Sequence, residues 1–492
     1  MKSVTTQAMR DIEDAAFSQG ITAEYLMDIA GLKIAETLLR YYPHTQQVTA
    51  YLGKGHNAGD ALVALTHLRE AGWDVNLTAS CSAEELAPLT QQKLAKLGDS
   101  YLFEQIAPQP GSLIIDALVG IGASGALREP LAELALEINS LRNDLGCTVV
   151  ALDIPSGVDA DTGAITEGAV LADHTLSIGF PKAGILASQA ISHVGAISHL
   201  TLDLLEEPAD SKLQLITPQT LTRKRRDFDT HKGQMGRIGI WAGSEGMLGA
   251  AVLTATASLK AGAGLVTAFV PHTLYPVLAT MMPHEVIVKP ALDPRVMLDL
   301  DFDAIIIGPG IGDPVPSLAD RLLFVAENCK MPLVLDADML NLIAREDKLS
   351  LMHDNCILTP HPGEMLRLFP QAAELDRETT ISKLSSEIPS TIVYKGARTL
   401  ITQNNDTLHV NSSGTPAMAT AGQGDVLAGF IASFCAQGYT NLEASKLATW
   451  IAGEAAQLAL ASGQHTEETL TASTLFGYMA PALDKVITTN TK

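Results

Sequence analysis

Cysteine is scarce in this sequence. The 492 residues hold only Cys81, Cys147, Cys329, Cys356 and Cys435, and no two of them form a CxxC pair. That count and spacing argue against a disulfide framework or a zinc site and for a reduced, cytoplasmic compartment. Positive charge is also short. The chain has 33 Lys+Arg against 55 Asp+Glu, a formal net charge of −22. Such a chain is a poor partner for a nucleic-acid backbone or an anionic membrane. Any phosphate it binds must be held by local loops and helix ends. A long apolar run is missing as well. The longest uncharged segment, Ala261 to His284, is broken by Pro271, Pro276 and Pro283 and reads as buried strand, turn and short helix. Near the start, Asp11, Glu13 and Asp14 fall where a secretory signal needs apolar residues.

What is present is a globular composition, 47% hydrophobic and 18% charged. A helical lead, about Thr5 to Tyr41, precedes strand-like runs VTAYLG, DVNLTAS, SLIIDALVG, CTVVALDIP and HTLSIGF. Between these runs, NAGDALVALTHLREAG and EPLAELALEINSLRN repeat apolar residues at helical spacing. Strands alternating with helices predict a parallel sheet with helices on both faces. A polar stretch containing Arg223-Lys224-Arg225-Arg226 then marks a connector. The expected layout is a first domain over 1–210, a linker over 211–232 and a second α/β domain over 233–492. The second domain alternates again, then shows a hairpin-like stretch and two strong helices, about Asp425 to Ala436 and Asn441 to Ala461.

In the first half, the turn Gly53-Lys54-Gly55-His56-Asn57-Ala58-Gly59-Asp60 joins a predicted strand to a predicted helix. Glycine permits the tight turn, and the helix start offers free N–H groups to an anion. The spacing differs from the GxGxxG dinucleotide fingerprint. Asp116 ends one strand before Gly120-Ile121-Gly122-Ala123-Ser124-Gly125, and Asp153 ends another before Ile154-Pro155-Ser156-Gly157. In a doubly wound sheet these strand ends face one crevice. Asn57, Asp116, Asp153 and Ser156 offer oxygen ligands suited to a hard cation, although a strand-terminal Asp also serves simply to cap a turn.

The strings HNAGDA, DALVGIGASG and DIPSGVDADTG resemble the epimerase domain of NAD(P)H-hydrate repair enzymes. That domain is a Rossmann-like three-layer αβα fold. The resemblance implies that Asn57, Asp116 and Ser156 hold K⁺. It implies that His56, Asn57, Ala58, Gly59, Asp60, Gly120, Ile121, Gly122, Ala123, Ser124, Gly125, Ala126 and Asp153 contact the hydrated nucleotide, with Asp153 also catalytic. His56 replaces a family Asn, and Ala58 and Ala61 replace glycines; their Cβ atoms are expected to crowd the phosphates.

In the second half, Asp336-Ala337-Asp338, Thr359-Pro360-His361-Pro362-Gly363-Glu364 and Lys395-Gly396-Ala397-Arg398-Thr399 each end a strand, and Ala421-Gly422-Gln423-Gly424-Asp425 enters a helix. Amides of a Gly-rich turn at a helix start stabilise a transferring phosphoryl group, and a carboxylate there accepts the proton of the attacking hydroxyl. An Asp N-cap on a glycine turn is the plainer reading. This half resembles the ribokinase-like superfamily, and within it the ADP- or ATP-dependent NAD(P)H-hydrate dehydratases. The HKG, GAGLVT, GPGIG, DADMLN, TPHPGE, KGART and GQGDVLAG strings occur in order from His231 to Gly429.

That resemblance implies hydrate contacts from Ala263, Gly310, His361 and Asp425, the last as catalytic base. It implies nucleotide contacts from Lys395, Gly396, Ala397, Arg398, Thr399 and Gly424, with Mg²⁺ accompanying the nucleotide. Arg398 stands where the family often has Gly. The implied substrates are NAD(P)H hydrates and ADP or ATP, and ribokinase-like relatives often form homo-oligomers. Two alternatives stay open on sequence alone. One is a small-molecule kinase using the same Gly-Asp turn. The other makes the first domain a non-catalytic nucleotide-binding module.

Overall fold

A computed structural model describes all residues except 45–46, 99–106, 123–124, 209–210 and 490–492. The chain divides into two compact units, Met1–Leu215 and Ile216–Lys492. The division places residues 216–232 of the expected linker with the second unit.

The first unit opens with α1 (Thr6–Ser18) and α2 (Ala23–Tyr41). Each is started by a threonine: Thr5 Oγ1 accepts from Ala8 N and Thr22 Oγ1 from Tyr25 N, both at 3.2 Å. Then follow β1 (Gln47–Leu52), α3 (His56–Glu70), β2 (Asp74–Ala79), α4 (Pro88–Leu97), β3 (Leu113–Ala117), α5 (Leu131–Leu145), β4 (Thr148–Leu152), β5 (His174–Ile178), α6 (Ala183–Leu186), α7 (Ile191–Val194) and β6 (Ala196–Leu200). The sheet order is β2-β1-β3-β4-β5-β6, all parallel. Every residue of β3 and β5 is buried, as a sheet covered on both faces requires. On one face Ile34, Leu38, Leu62, Leu65 and Leu94 from α2, α3 and α4 share a core with the sheet. On the other, Ala135 and Ile138 of α5 meet Ile114, Val149 and Ala151.

After β7 (Leu213–Ile216), the second unit begins with β8 (Thr222–Lys224) and β9 (Arg237–Trp241). It continues through α8 (Leu248–Lys260), β10 (Leu265–Val270), α9 (Tyr275–Met281), β11 (Val286–Pro290), β12 (Ala304–Ile307), α10 (Pro316–Asn328), β13 (Leu333–Leu335) and α11 (Asp338–Arg345). Next come β14 (Cys356–Leu358), α12 (Pro362–Leu368), α13 (Arg377–Glu387), β15 (Thr391–Tyr394), β16 (Leu400–Gln403) and β17 (Leu408–Asn411). The unit closes with α14 (Gln423–Ala436), α15 (Asn441–Ala461), α16 (Leu475–Leu483) and β18 (Ile487–Thr489). Its sheet runs β11-β10-β9-β12-β13-β14-β15-β16-β17, parallel up to β15 and antiparallel through the β16–β17 hairpin.

The segment 261–284 supplies β10, a turn and α9, within a fold where no helix among the described residues is long and apolar enough to cross a membrane. The basic run is tied down. Residues 222–224 pair with 487–489, Arg223 bonds Asp484 at 2.9 Å, and Arg226 donates to Gly262 O at 3.1 Å. The five cysteines are all free thiols.

Candidate active sites

In the first unit, the carboxyl ends of β1, β3, β4 and β5 carry the polar residues. The helix starts at His56, with Gly55 as its N-cap, so His56 to Asp60 form the first turns of α3 and not a free loop. Helical register then sets the side chains. His56 is exposed, while Ala58 and Ala61 are fully buried in the hydrophobic core. The expected crowding by these two Cβ atoms therefore does not arise: they pack inward.

Asp116 is fully buried. Its Oδ1 accepts from Ser156 Oγ at 2.6 Å and Leu118 N at 3.2 Å, and its Oδ2 accepts from Ser156 N at 2.7 Å. Burial pushes this carboxyl up to about 6 against those three hydrogen bonds. Asn57 Nδ2 donates to Val119 O at 3.0 Å and Leu152 O at 3.2 Å. Ser156 Oγ also accepts from Val119 N at 3.1 Å. Asn57, Asp116 and Ser156 are thus joined by one network around two inward carbonyls. A Cβ on Gly120 would stand 3.3 Å from Asn57 Cβ, which places Gly120 beside it. Ala123 and Ser124 lie outside the described residues. Gly122, Gly125 and Ala126 are exposed, and Ile121 packs partly against the core.

Asp153 sits just past β4 with φ +64°, a left-handed conformation that is uncommon without glycine. Its Oδ1 accepts from Lys182 Nζ at 2.5 Å and from Ile178 N at 3.1 Å. Lys182 is 1% exposed and also donates to Ile178 O at 2.8 Å. Asp60 is held well above the usual carboxylate range, by burial first and then by Asp153 and Glu13. Glu13 is raised by burial, with Lys182 pulling it down. Lys182 and Glu13 are absent from the sequence-based set. The sequence signal for Lys182 is its place two residues after the strand-like run HTLSIGF.

In the second unit, the ends of β13, β14 and β15 and the start of α14 converge. Lys395 Nζ donates to Asp336 Oδ1 at 2.7 Å and lies 3.7 Å from Glu364 Oε2. Thr359 Oγ1 donates to the same Asp336 oxygen at 2.7 Å. Burial opposes the Lys395 charge, but Asp336 and Glu364 together hold its ammonium above the usual range. Gly424 belongs to this cluster: a Cβ there would lie 3.3 Å from Lys395 Nζ and 3.5 Å from Asp336 Oδ2. Asp425, in the first turn of α14, is pushed up to about 7 by burial and then by Asp336, with Lys395 opposing. Gly422 before it has φ +89°.

His361 caps α12. Its Nδ1 accepts from Gly363 N at 3.0 Å, and Glu364 Oε2 accepts from His361 N at 2.8 Å. Gly308 shows why glycine follows β12: φ is +131°, and a Cβ would sit 1.8 Å from Asp336 O. Gly310, φ +62°, lies against Met247 and Ala250 at the start of α8. Ala263 packs beside the core after α8. No hydrogen bond among the described residues ties Gly310 or Ala263 to the Lys395 cluster. Gly396 and Ala397 are exposed, Arg398 is half-buried with φ +54°, and Thr399 is buried. Asp336 and Glu364, read from sequence only as members of strand-end strings, are the carboxylates that meet Lys395.

The sequence matches two family profiles. One, described as NAD(P)H-hydrate dehydratase, covers residues 238–478, and one described as YjeF-related protein N-terminus covers residues 23–184. A bifunctional NAD(P)H-hydrate repair enzyme of Synechocystis is 34% identical over 97% of this chain and 94% of its own. Those of Coxiella burnetii (32%, 96% and 97%) and Escherichia coli (33%, 89% and 85%) are similar over comparable spans. Among solved structures, a ribokinase-like superfamily protein of Enterococcus faecalis superposes with a TM-score of 0.50 at 23% identity, over 57% of this chain and 99% of that one. This last likeness bears on the fold. With both halves matched in order and about a third of residues shared from end to end, the chain belongs to the family of bifunctional NAD(P)H-hydrate repair enzymes.

Proposed function

We propose that the chain repairs hydrated nicotinamide nucleotides in two reactions. The first unit interconverts the R and S epimers of NAD(P)H hydrate. The second removes water from the S epimer at the expense of ADP (or ATP), releasing AMP (or ADP) and phosphate. The observation that carries this reading is Asp425, at a glycine-rich helix start beside the Lys395–Asp336 pair and pushed up to about 7. A base with that value is half ready at neutral pH.

The C6 hydroxyl of the hydrate is a poor leaving group. In the proposed step Asp425 accepts its proton as the oxygen attacks the terminal phosphoryl group. Amides of the Gly422–Asp425 turn face the negative charge that develops there. Lys395 supplies positive charge while Asp336 and Glu364 hold it in place. The C6–O bond then breaks with departure of phosphate as the ring nitrogen lone pair enters, and loss of a C5 proton completes the double bond. His361, Gly310 and Ala263 are the proposed hydrate contacts, and Lys395 to Thr399 and Gly424 the nucleotide contacts.

In the first unit, Asp153 is the proposed catalytic carboxylate, paired with Lys182. His56 to Asp60 and Gly120 to Ala126 are the proposed contacts to the hydrate. The residues fit K⁺: Asp116 is a buried carboxylate with no ion pair among the described residues, set beside Asn57, Ser156 and two carbonyls. Bound there, the ion would supply the missing counter-charge and tie three loops together. The donor set in the second unit suits Mg²⁺ less well. No group of three His, Cys, Asp or Glu side chains among the described residues is arranged to hold a metal ion, and Asp336 Oδ1 is taken by Lys395 and Thr359. The ion would belong to the nucleotide phosphates.

The test is a repair assay on a mixture of R and S hydrates with ADP and ATP in parallel. Recovery of reduced-nicotinamide absorbance from both epimers is expected; recovery from neither with either nucleotide refutes the reading. Asp425 must be ionised to act, so kcat/KM for dehydration should rise with pH and level off above about 7. A profile flat from pH 5.5 to 8.5 would assign the base elsewhere.

A further inference from the structure

The turn after β15 has its carbonyl groups taken up from within the protein. Arg377 is the first residue of α13, whose start is fixed by Asp376 accepting from Thr379 N at 2.6 Å. From there the guanidinium spans the turn. Nη1 donates to Ala397 O at 2.8 Å, and Nη2 donates to Tyr394 O at 3.2 Å and Lys395 O at 3.3 Å. The remaining carbonyl, on Gly396, accepts from Thr399 Oγ1 at 3.1 Å. The guanidinium also stacks over the Tyr394 ring, 4.8 Å from its centroid. Gly396, at φ +144°, permits this approach, since a Cβ there would stand 3.0 Å from Arg377 Nη2.

Two consequences follow from peptide geometry and charge. The N–H of a trans peptide points opposite to its C=O. The amide of Gly396 shares its peptide plane with the Lys395 carbonyl, so it faces away from Arg377. Gly396 and Ala397 are exposed, which leaves that side of the turn open. The Arg377 charge, meanwhile, meets carbonyls and a ring but no carboxylate within ion-pair distance among the described residues. Burial works against that charge. An anion on the open side of the turn would offset it.

We propose that Arg377 is a positioning residue for the phosphate-bearing co-substrate: it holds residues 394–397 so that the outward Gly396 amide receives the adenine nucleotide. This rests on the dehydratase reading above. Lysine is no substitute, because a single ammonium lacks the planar fork that bridges three carbonyls.

The test compares Arg377→Lys and Arg377→Ala in the full chain, varying ADP and the S hydrate separately. The KM for ADP should rise about tenfold or more in both, as expected for loss of charged hydrogen bonds. The KM for hydrate should stay within about twofold. Millimolar free guanidinium should lower the KM for ADP in Arg377→Ala and leave Arg377→Lys unchanged. An unchanged KM for ADP, equal rises in both KM values, or a loss confined to kcat with a lowered melting temperature would each overturn the proposal. Should Arg377→Ala fail to fold, Arg377→Lys alone decides by the same criteria. Calorimetric ADP affinity of the same proteins separates the two readings. A wild type that binds ADP but dehydrates nothing refutes the function, while variants that bind ADP as well as wild type refute only the role of Arg377.

Discussion

Asp425→Asn should abolish ADP-dependent dehydration of the S hydrate while leaving exchange of the R and S epimers at the wild-type rate. Loss of a positioned general base costs about 10²–10⁴-fold. Asn keeps the shape of the side chain and its first-turn position on α14, so the cut should fall on kcat. Stability should move the other way. The Asp425 carboxyl is raised in the folded state, mainly by burial and by Asp336. The stability associated with its proton is fully present below the unfolded value near 4 and is lost as pH rises through about 7. Above neutrality the native site therefore carries an unfavourable buried charge that Asn removes. The variant should melt no lower than wild type at pH 8. Absorbance recovery on purified S hydrate, chromatographic separation of the epimers and a melting curve at pH 8 check all three parts. Retained dehydration would take the base assignment away from Asp425, and a large drop in melting temperature would make the residue structural.

Much of this site was legible before any coordinates, for a physical reason. Parallel sheets place ligands at the carboxyl ends of their strands, and the turns there must be glycine-rich to let backbone approach a substrate. Asp116, Asp153 and Asp336 stand at such strand ends and Asp425 at a glycine-rich helix start, and apolar runs before or after them fix the register. What escaped was set by contacts distant in sequence. Lys182 meets Asp153 from 29 residues away, and Glu364 meets Lys395 from a different strand end. Arg377 reads locally as an unremarkable charged residue in the first turn of a helix, where the macrodipole disfavours a cation. Its partners are carbonyls 17 to 20 residues later. The basic run at 223–226 is a similar case. It reads as a connector, and the bonds from Arg223 to Asp484 and from Arg226 to Gly262 are again set by residues distant in sequence. Ala58 and Ala61 turned on helical register, which a string comparison does not weigh.

Lys182→Met is the complementary experiment on the first unit. Lys182 is 1% exposed and Asp153 8%, so neither charge is balanced by solvent. Removing the ammonium strips Asp153 of its 2.5 Å partner and leaves Ile178 O without its 2.8 Å donor. Breaking a buried pair from one side costs about 3–5 kcal/mol. Asp153 also sits in a left-handed conformation that its bonds to Lys182 and Ile178 N help to hold, so its geometry should relax with the loss. Asp60 loses the cation that lowers it and Glu13 loses the stronger of its two, Lys182 ahead of Arg10, and both carboxyls should climb further. Epimerisation should fall by about 10²-fold or more. Dehydration of pure S hydrate, which draws on none of these residues, should persist at temperatures where the first unit is still folded. Lys182→Met/Asp153→Asn removes both charges and should recover part of the stability, a coupling that a double-mutant cycle followed by calorimetry measures directly. It should recover none of the epimerisation. If Lys182→Met alone epimerises normally, Asp153 needs no counter-charge to act. If the double variant is as unstable as the sum of the singles, the two groups are not a coupled pair.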